Sequence, residues 1–193
     1  DELLAASAPL GDGVHPIPGD ICDPGHRRAL VSAAQGLGWL DLLVNNAGTL
    51  GPSPLPKVRD LAPVALRDAF RTNVEAPLAL IQLALPLLEA SGGTVVNVTS
   101  DAAVQAYEGW GGYGATKAAL EQLSKVLAAE EKKVAVYSLD PGDMRTAMHQ
   151  AAFPGEDISD RPLPDEVAPA LLRLLAQRPP SGRYLAAEFS RER

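Results

Sequence analysis

Thr94-Val95-Val96-Asn97-Val98-Thr99-Ser100, followed thirteen residues later by Tyr113-Gly114-Ala115-Thr116-Lys117, organises the rest of the chain. Residues 94–99 are almost all β-branched and read as a strand. Ser100 closes it, and a hydroxyl at the carboxyl end of a strand sits where open α/β sheets bind their ligands. Tyr113 heads an apolar helical run. Four residues apart on a helix, its phenol and the Lys117 ammonium lie one above the other on one face. A free phenol, with a pKa of about 10, is a poor proton donor or acceptor near neutral pH. A neighbouring ammonium is expected to lower that value. Ser100, Tyr113 and Lys117 together can hold a carbonyl oxygen and trade a proton with it. The same spacing describes an ordinary exposed helix pair, so the surroundings have to separate the two readings.

Outward from this stretch, strand and helix alternate. Towards the N-terminus, residues 42–45 form a strand apolar on both faces, as buried parallel strands are, and it runs into the polar turn Asn45-Asn46-Ala47-Gly48. Residues 51–57 are a Pro-rich loop. Residues 60–90 carry one long helical pattern (Phe70, Val74, Leu78, Ile81, Leu85) with Pro77 inside it, which predicts a kink. Asn73 sits mid-helix, where its side chain competes for backbone hydrogen bonds. Further upstream, residues 1–8 read as the tail of a helix, residues 14–17 as a short strand, and residues 24–35 as a helix begun by Asp23-Pro24. Asp20-Ile21 lies between the last two; Asp20 alone reads as a turn residue. Towards the C-terminus, a helix over 115–129 precedes a strand over 134–139 and Asp140-Pro141-Gly142. A further helix (164–177) and a last strand (183–186) close the pattern. Residues 143–155 carry Met144, Met148, His149 and Phe153, apolar groups able to form a lid over a substrate. Trp110-Gly111-Gly112-Tyr113-Gly114 is not a phosphate loop, because no strand leads into it.

Alternating strand and helix predicts an α/β fold with helices on both faces of a parallel sheet, here as one domain over residues 1–193. The 46% apolar and 21% charged composition is that of an ordinary globular chain. A net charge of −7 argues against a nucleic-acid surface. The one cysteine, Cys22, cannot form an internal disulfide, which fits a reducing, cytoplasmic setting. The most apolar stretch, residues 76–88, is too short to span a bilayer, so no membrane partner is expected. His15, His26 and His149 lack metal-ligand spacing, and no metal site is expected.

Five motifs in this order resemble the short-chain dehydrogenase/reductase family in its compact form: Asn45-Asn46-Ala47-Gly48, Asn73, Ser100, Tyr113 with Lys117, and Asp140-Pro141-Gly142 with Thr146. The resemblance runs from about residue 14 to about residue 185. It implies a doubly wound, Rossmann-type sheet in three α/β/α layers. It further implies hydride transfer between NAD or NADP and a small-molecule alcohol or carbonyl compound, with the choice of cofactor and the substrate left open. Tyr113 would be the general acid/base. Lys117 would lower its pKa and hold the nicotinamide ribose, Ser100 would bind the substrate oxygen, and Asn73 would anchor a proton-relay water through its backbone carbonyl. Asn46, Ala47 and Gly48 would wall the cofactor's ribose, Asp20 and Ile21 bracket its adenine, and Pro141, Gly142, Met144 and Thr146 flank its nicotinamide end. A homodimer or homotetramer is implied, paired through the helices over residues 60–90 and 113–130. A non-catalytic cofactor-binding or scaffold protein is the alternative reading.

One departure from the family is its Gly-rich phosphate loop, absent here. In a sheet of order 3-2-1-4-5-6 the first two strands lie between the third and fourth. Residues 14–17 would then be parted from residues 42–45 by two positions, each leaving unpaired backbone groups. An upstream strand, Gly-rich turn, helix and strand of roughly 40 residues is therefore expected in the natural protein, and with it the pyrophosphate seat on a helix N-terminus.

Overall fold

The structure, a computed structural model, describes residues 2–190. Four strands form its sheet: β1 (Leu42–Asn45), β2 (Thr94–Val98), β3 (Ala135–Asp140) and β4 (Gly182–Leu185). They are parallel and lie in chain order, with Leu43 opposite Val95, Val95 opposite Val136, and Ser138 opposite Arg183. Parallel neighbours need crossover connections, and the helices supply them. Successive strand residues face opposite layers. Val95 and Val136 point to one face, where Ile81, Ala84 and Leu88 of α4 (Ala76–Ser91) meet them together with Val31 and Leu127. Val96, Tyr137 and Leu139 point to the other, onto Ala170 and Leu174 of α7 (Pro164–Gln177) and onto Phe189. Three layers result, as expected, with α2 (Pro24–Leu37), α4 and α5 (Gly111–Glu130) on one side of the sheet and α7 on the other.

The N-terminal region departs from expectation. Residues 14–17 do not form a strand: they are irregular, and Val14 is 40% exposed. A strand is stabilised by its neighbour's amides and carbonyls, and residues 14–17 pair with no strand, so the sheet begins at β1. The helix read over residues 1–8 is a short α1 (Glu2–Ser7) with a 3₁₀ turn after it; Asp1 lies outside the described residues. α2 begins as Asp23-Pro24 predicts: the Asp23 side chain caps the Gly25 amide at 2.8 Å, and Pro24 supplies the first helical position.

The kink at Pro77 takes a definite form. α3 (Pro63–Phe70) passes through a π-helical turn, Arg71–Glu75, into α4. Pro77 has no amide hydrogen to give to the carbonyl four residues back, that of Asn73. The helix widens there, and the Ala76 amide reaches Arg71 O instead. The run from Pro63 to Ser91 is thus continuous over 29 residues, longer than the apolar stretch legible in the sequence and long and apolar enough to cross a bilayer by those measures alone. Its buried stripe instead packs on the sheet, as in a core helix of a globular protein.

Candidate active site

At the carboxyl ends of the strands, where open α/β sheets bind ligands, lies a cavity of about 310 Å³. Its walls include Asn46, Gly48, Ser100, Tyr113, Lys117, Pro141, Gly142, Met144 and Thr146, residues that lie up to 100 positions apart. Met148 and His149 of α6 (Ala147–Ala152) line it from above. Phe153 stands behind them, its ring 5.8 Å from Trp110 and 4.9 Å from His149. Thr146 also caps α6, accepting from the His149 amide at 3.1 Å.

Ser100 ends β2's extension, and its hydroxyl donates to the Asp101 carboxylate at 3.0 Å while accepting from the Ala102 amide at 3.2 Å. α5 comes close beneath this loop because residue 114 is glycine: a Cβ there would stand 2.5 Å from Ala102 O. Tyr113 and Lys117 share the buried face of α5, at 8% and 4% exposure. The Lys117 ammonium lies 5.5 Å from the Tyr113 ring centre and donates to Val98 O at 2.8 Å. It has no carboxylate partner among the described residues.

The electrostatics correct one expectation. Tyr113 is not lowered; it is pushed up to about 12 by burial and by the carboxylates of Asp140 and Asp101, with the Ser100 hydroxyl working the other way. Burial likewise brings Lys117 down to about 8. Desolvation penalises both charged forms. The phenol is therefore not held in a low range here: burial and two nearby carboxylates raise it.

Asn73 is held inside the π turn with its side chain fully engaged. Its Oδ1 accepts from the Thr49 amide at 2.8 Å, and its Nδ2 donates to Thr49 O at 2.8 Å and to Thr116 Oγ1 at 2.9 Å. It staples the loop after Gly48 to α5, one residue from Lys117. Gly48 is pressed against it: a Cβ would meet Asn73 Oδ1 at 3.2 Å and Lys117 Nζ at 3.8 Å. Asn73 does not itself line the cavity.

Three predicted cofactor residues lie outside that cavity: Asp20, Ile21 and Ala47. Asp20 is exposed and closes a turn, its Oδ1 accepting from the Cys22 amide at 2.8 Å. Ile21 lines a second, apolar cleft of about 250 Å³ with Val31, Leu43, Pro77 and Ala47. Asn46 borders both spaces. Sequence reasoning also missed wall residues. Asp101, Asp140 and Asp143 bring three carboxylates to the main cavity, and Arg183 stands behind Asp140 with its Nη2 at 2.7 Å. Glu121 was within reach of the sequence, since it follows Tyr113 and Lys117 at the same four-residue step on α5. Arg183 carried no such signal.

The profile of the short chain dehydrogenase family matches residues 1–157. The chain belongs to that family. An oxidoreductase of Saccharomyces cerevisiae is 37% identical over 139 residues, 72% of this chain and 54% of that protein. Bovine sepiapterin reductase is 37% identical over 155 residues, 78% of this chain and 55% of that protein. The chain thus spans about half the length of these curated relatives. A Shigella flexneri short chain dehydrogenase crystallised with NADP superposes with a TM-score of 0.85 at 30% identity, over 96% of this chain and 81% of that one. As a short chain dehydrogenase, the chain has its Ser100, Tyr113 and Lys117 grouped in one cavity rather than spread over a solvent-facing helix.

Proposed function

We propose that this short chain dehydrogenase is an oxidoreductase that moves a hydride between a nicotinamide cofactor and an alcohol or carbonyl compound, with Tyr113 as general acid/base. The observation that carries the reading is the convergence of Ser100, Tyr113 and Lys117 on one cavity with Asn46, Gly48 and the Pro141–Thr146 loop. The residues present fit the nicotinamide-ribose end of such a cofactor: Lys117 is a buried ammonium without a carboxylate partner among the described residues, and Gly48 leaves open a surface that a Cβ would fill. A relative that binds NADP supports the same reading.

The nicotinamide supplies or takes up the hydride when bound. The chain's own groups do the rest. Ser100 turns its hydroxyl from Asp101 to the substrate oxygen. In the reductive direction Tyr113, neutral well above physiological pH, gives its proton to that oxygen as negative charge develops there. Lys117 holds ribose hydroxyls and offers the positive charge nearest the phenol. In the oxidative direction Tyr113 has to lose its proton first, so the rate rises with pH. The alternative is a non-catalytic cofactor-binding or scaffold protein, and turnover of the parent separates the two.

Tyr113→Phe deletes only the hydroxyl. Turnover falls by about 10²–10⁴-fold while cofactor affinity stays near that of the parent, measured by steady-state kinetics and by fluorescence titration. Lys117→Ala weakens both together. Near-full activity in Tyr113→Phe would overturn the assignment of Tyr113, and a parent that binds the cofactor without turning over alcohols or carbonyl compounds would leave the scaffold reading. The enzyme is further proposed to be a homodimer or homotetramer, since Leu78 and Leu83 of α4 and Leu123 and Val126 of α5 are each at least 36% exposed.

A further inference from the structure

Beneath the cavity floor lies a network of charges that the proposed chemistry does not use. Arg183 of β4 reaches along the carboxyl edge of the sheet. Its Nε donates to Glu121 Oε1 at 2.9 Å, and its Nη2 donates to Asp140 Oδ2 at 2.7 Å and, more weakly, to Ser100 O at 3.4 Å. The carboxylates are almost wholly enclosed: the side chains of Glu121 and Asp140 are 3% and 5% exposed. Each is also bound from another side. Glu121 Oε1 accepts from Thr99 Oγ1 at 2.7 Å, and Asp140 Oδ1 accepts from the Gly142 amide at 2.9 Å. One guanidinium therefore ties together the end of β2 at Thr99 and Ser100, the end of β3 at Asp140 with the Pro141-Gly142 turn, and α5 one turn beyond Lys117.

Buried carboxylates without a counterion are strongly destabilising, but fold stability alone would be met as well by apolar residues. The placement points to more. The network's anchor points are Ser100, Asp140 and the stripe of α5 that carries Tyr113 and Lys117. Asp140 is both an arm of the network and a wall of the cavity. We propose that Arg183 is a positioning residue of the active site: it locks Ser100 and Asp140 at the cavity floor and, by neutralising Asp140, restrains the negative potential at the Tyr113 hydroxyl. This rests on Tyr113 being the acid/base, and it adds that the strand after α7 sets how readily that group ionises.

The charges facing Tyr113 come from every side. Asp101 follows β2, Asp140 ends β3 and Asp143 follows it, His149 faces the cavity from α6, and Lys117 lies on Tyr113's own helix. Asp140 is the carboxylate with the largest effect on the phenol, which titrates at about 12. In that alkaline range Lys117, at about 8, is already neutral and drops out. Burial works against the charge of Arg183, yet its hydrogen bonds and charge pairs with Glu121 and Asp140 hold it above its ordinary value, so it stays cationic.

The test reads tyrosinate absorbance within milliseconds of a pH jump, before the chain unfolds, subtracting a Tyr113→Phe partner in each background. Circular dichroism at neutral pH checks the fold. Asp140→Asn brings the Tyr113 midpoint down by about one pH unit or more, because a neighbouring like charge is gone. Arg183→Met moves it upward, because Asp140 is left uncompensated. In a folded chain, a midpoint indifferent to either substitution overturns the proposal. Should Arg183→Met fail to fold, Arg183→Gln takes its place: an upward shift supports the proposal and an unchanged midpoint refutes it. The readout is independent of turnover, so a failure here leaves the hydride-transfer reading standing, and a failure of Tyr113→Phe kinetics leaves this coupling measurable.

Discussion

Lys117, proposed above to hold ribose hydroxyls, carries a cost to folding. It is 4% exposed, its ammonium is held by a single carbonyl, and burial lowers it from 10.5 to about 8. For a base whose folded value is depressed, the unfolded chain binds the extra proton between those two values, so stability rises with pH across the window from about 8 to 10.5. Below it the full penalty of a buried charge is carried. Above pH 10 the opposite linkage of Tyr113 begins, because its folded value of about 12 exceeds the ordinary 10.0 and stability falls as pH climbs between them. Lys117→Met removes the first effect. Urea unfolding of both proteins should show the parent gaining on the variant by on the order of 2 kcal/mol between about pH 8 and about pH 10. Equal pH dependence in the two would mean that the ammonium is better solvated than its burial indicates.

At the scale of elements, the π turn between α3 and α4 is the feature that places Asn73. Pro77 makes it necessary by withholding an amide, and the widened turn carries Asn73 inward to its three hydrogen bonds with Thr49 and Thr116. Asn73→Ala deletes all three and leaves groups of half-buried Thr49 and buried Thr116 to find other partners. At about 1 kcal/mol per bond it should cost on the order of 3 kcal/mol in chemical denaturation. It should also loosen Gly48 against Lys117, seen as faster amide exchange at Gly48 and Thr49 than in α7, which the staple does not touch. A loss confined to global stability, with exchange at these two amides unchanged relative to α7, would remove the positioning role.

For the whole molecule, the exposed apolar residues of α4 and α5 form the face proposed to pair with a second copy. Leu78→Glu with Leu123→Glu places charges on that face and touches no residue of the cavity. Sedimentation should give a dimer or tetramer for the parent at micromolar concentration and a monomer for the double variant. A parent that sediments as a monomer would refute the pairing.

Legibility followed the range of the interactions. Strands β1 to β4, the capped helix after Asp23 and the helix over Pro164–Gln177 were readable because apolar period, caps and Pro/Gly punctuation are local. Ser100, Tyr113 and Lys117 could be grouped because a strand end and a four-residue helical step are local signals, and the motifs around them set that grouping apart from an exposed helix pair. The strand expected at residues 14–17 failed because a strand exists only with a paired neighbour, which residues 14–17 do not have. Two matters belonged to the tertiary structure alone. It joined Arg183 to Glu121 and Asp140 across 62 and 43 residues. It also set Tyr113 high rather than low, because the potential at a buried phenol is the sum over burial and every nearby charge, whereas sequence spacing reveals only the one charge on its own helix.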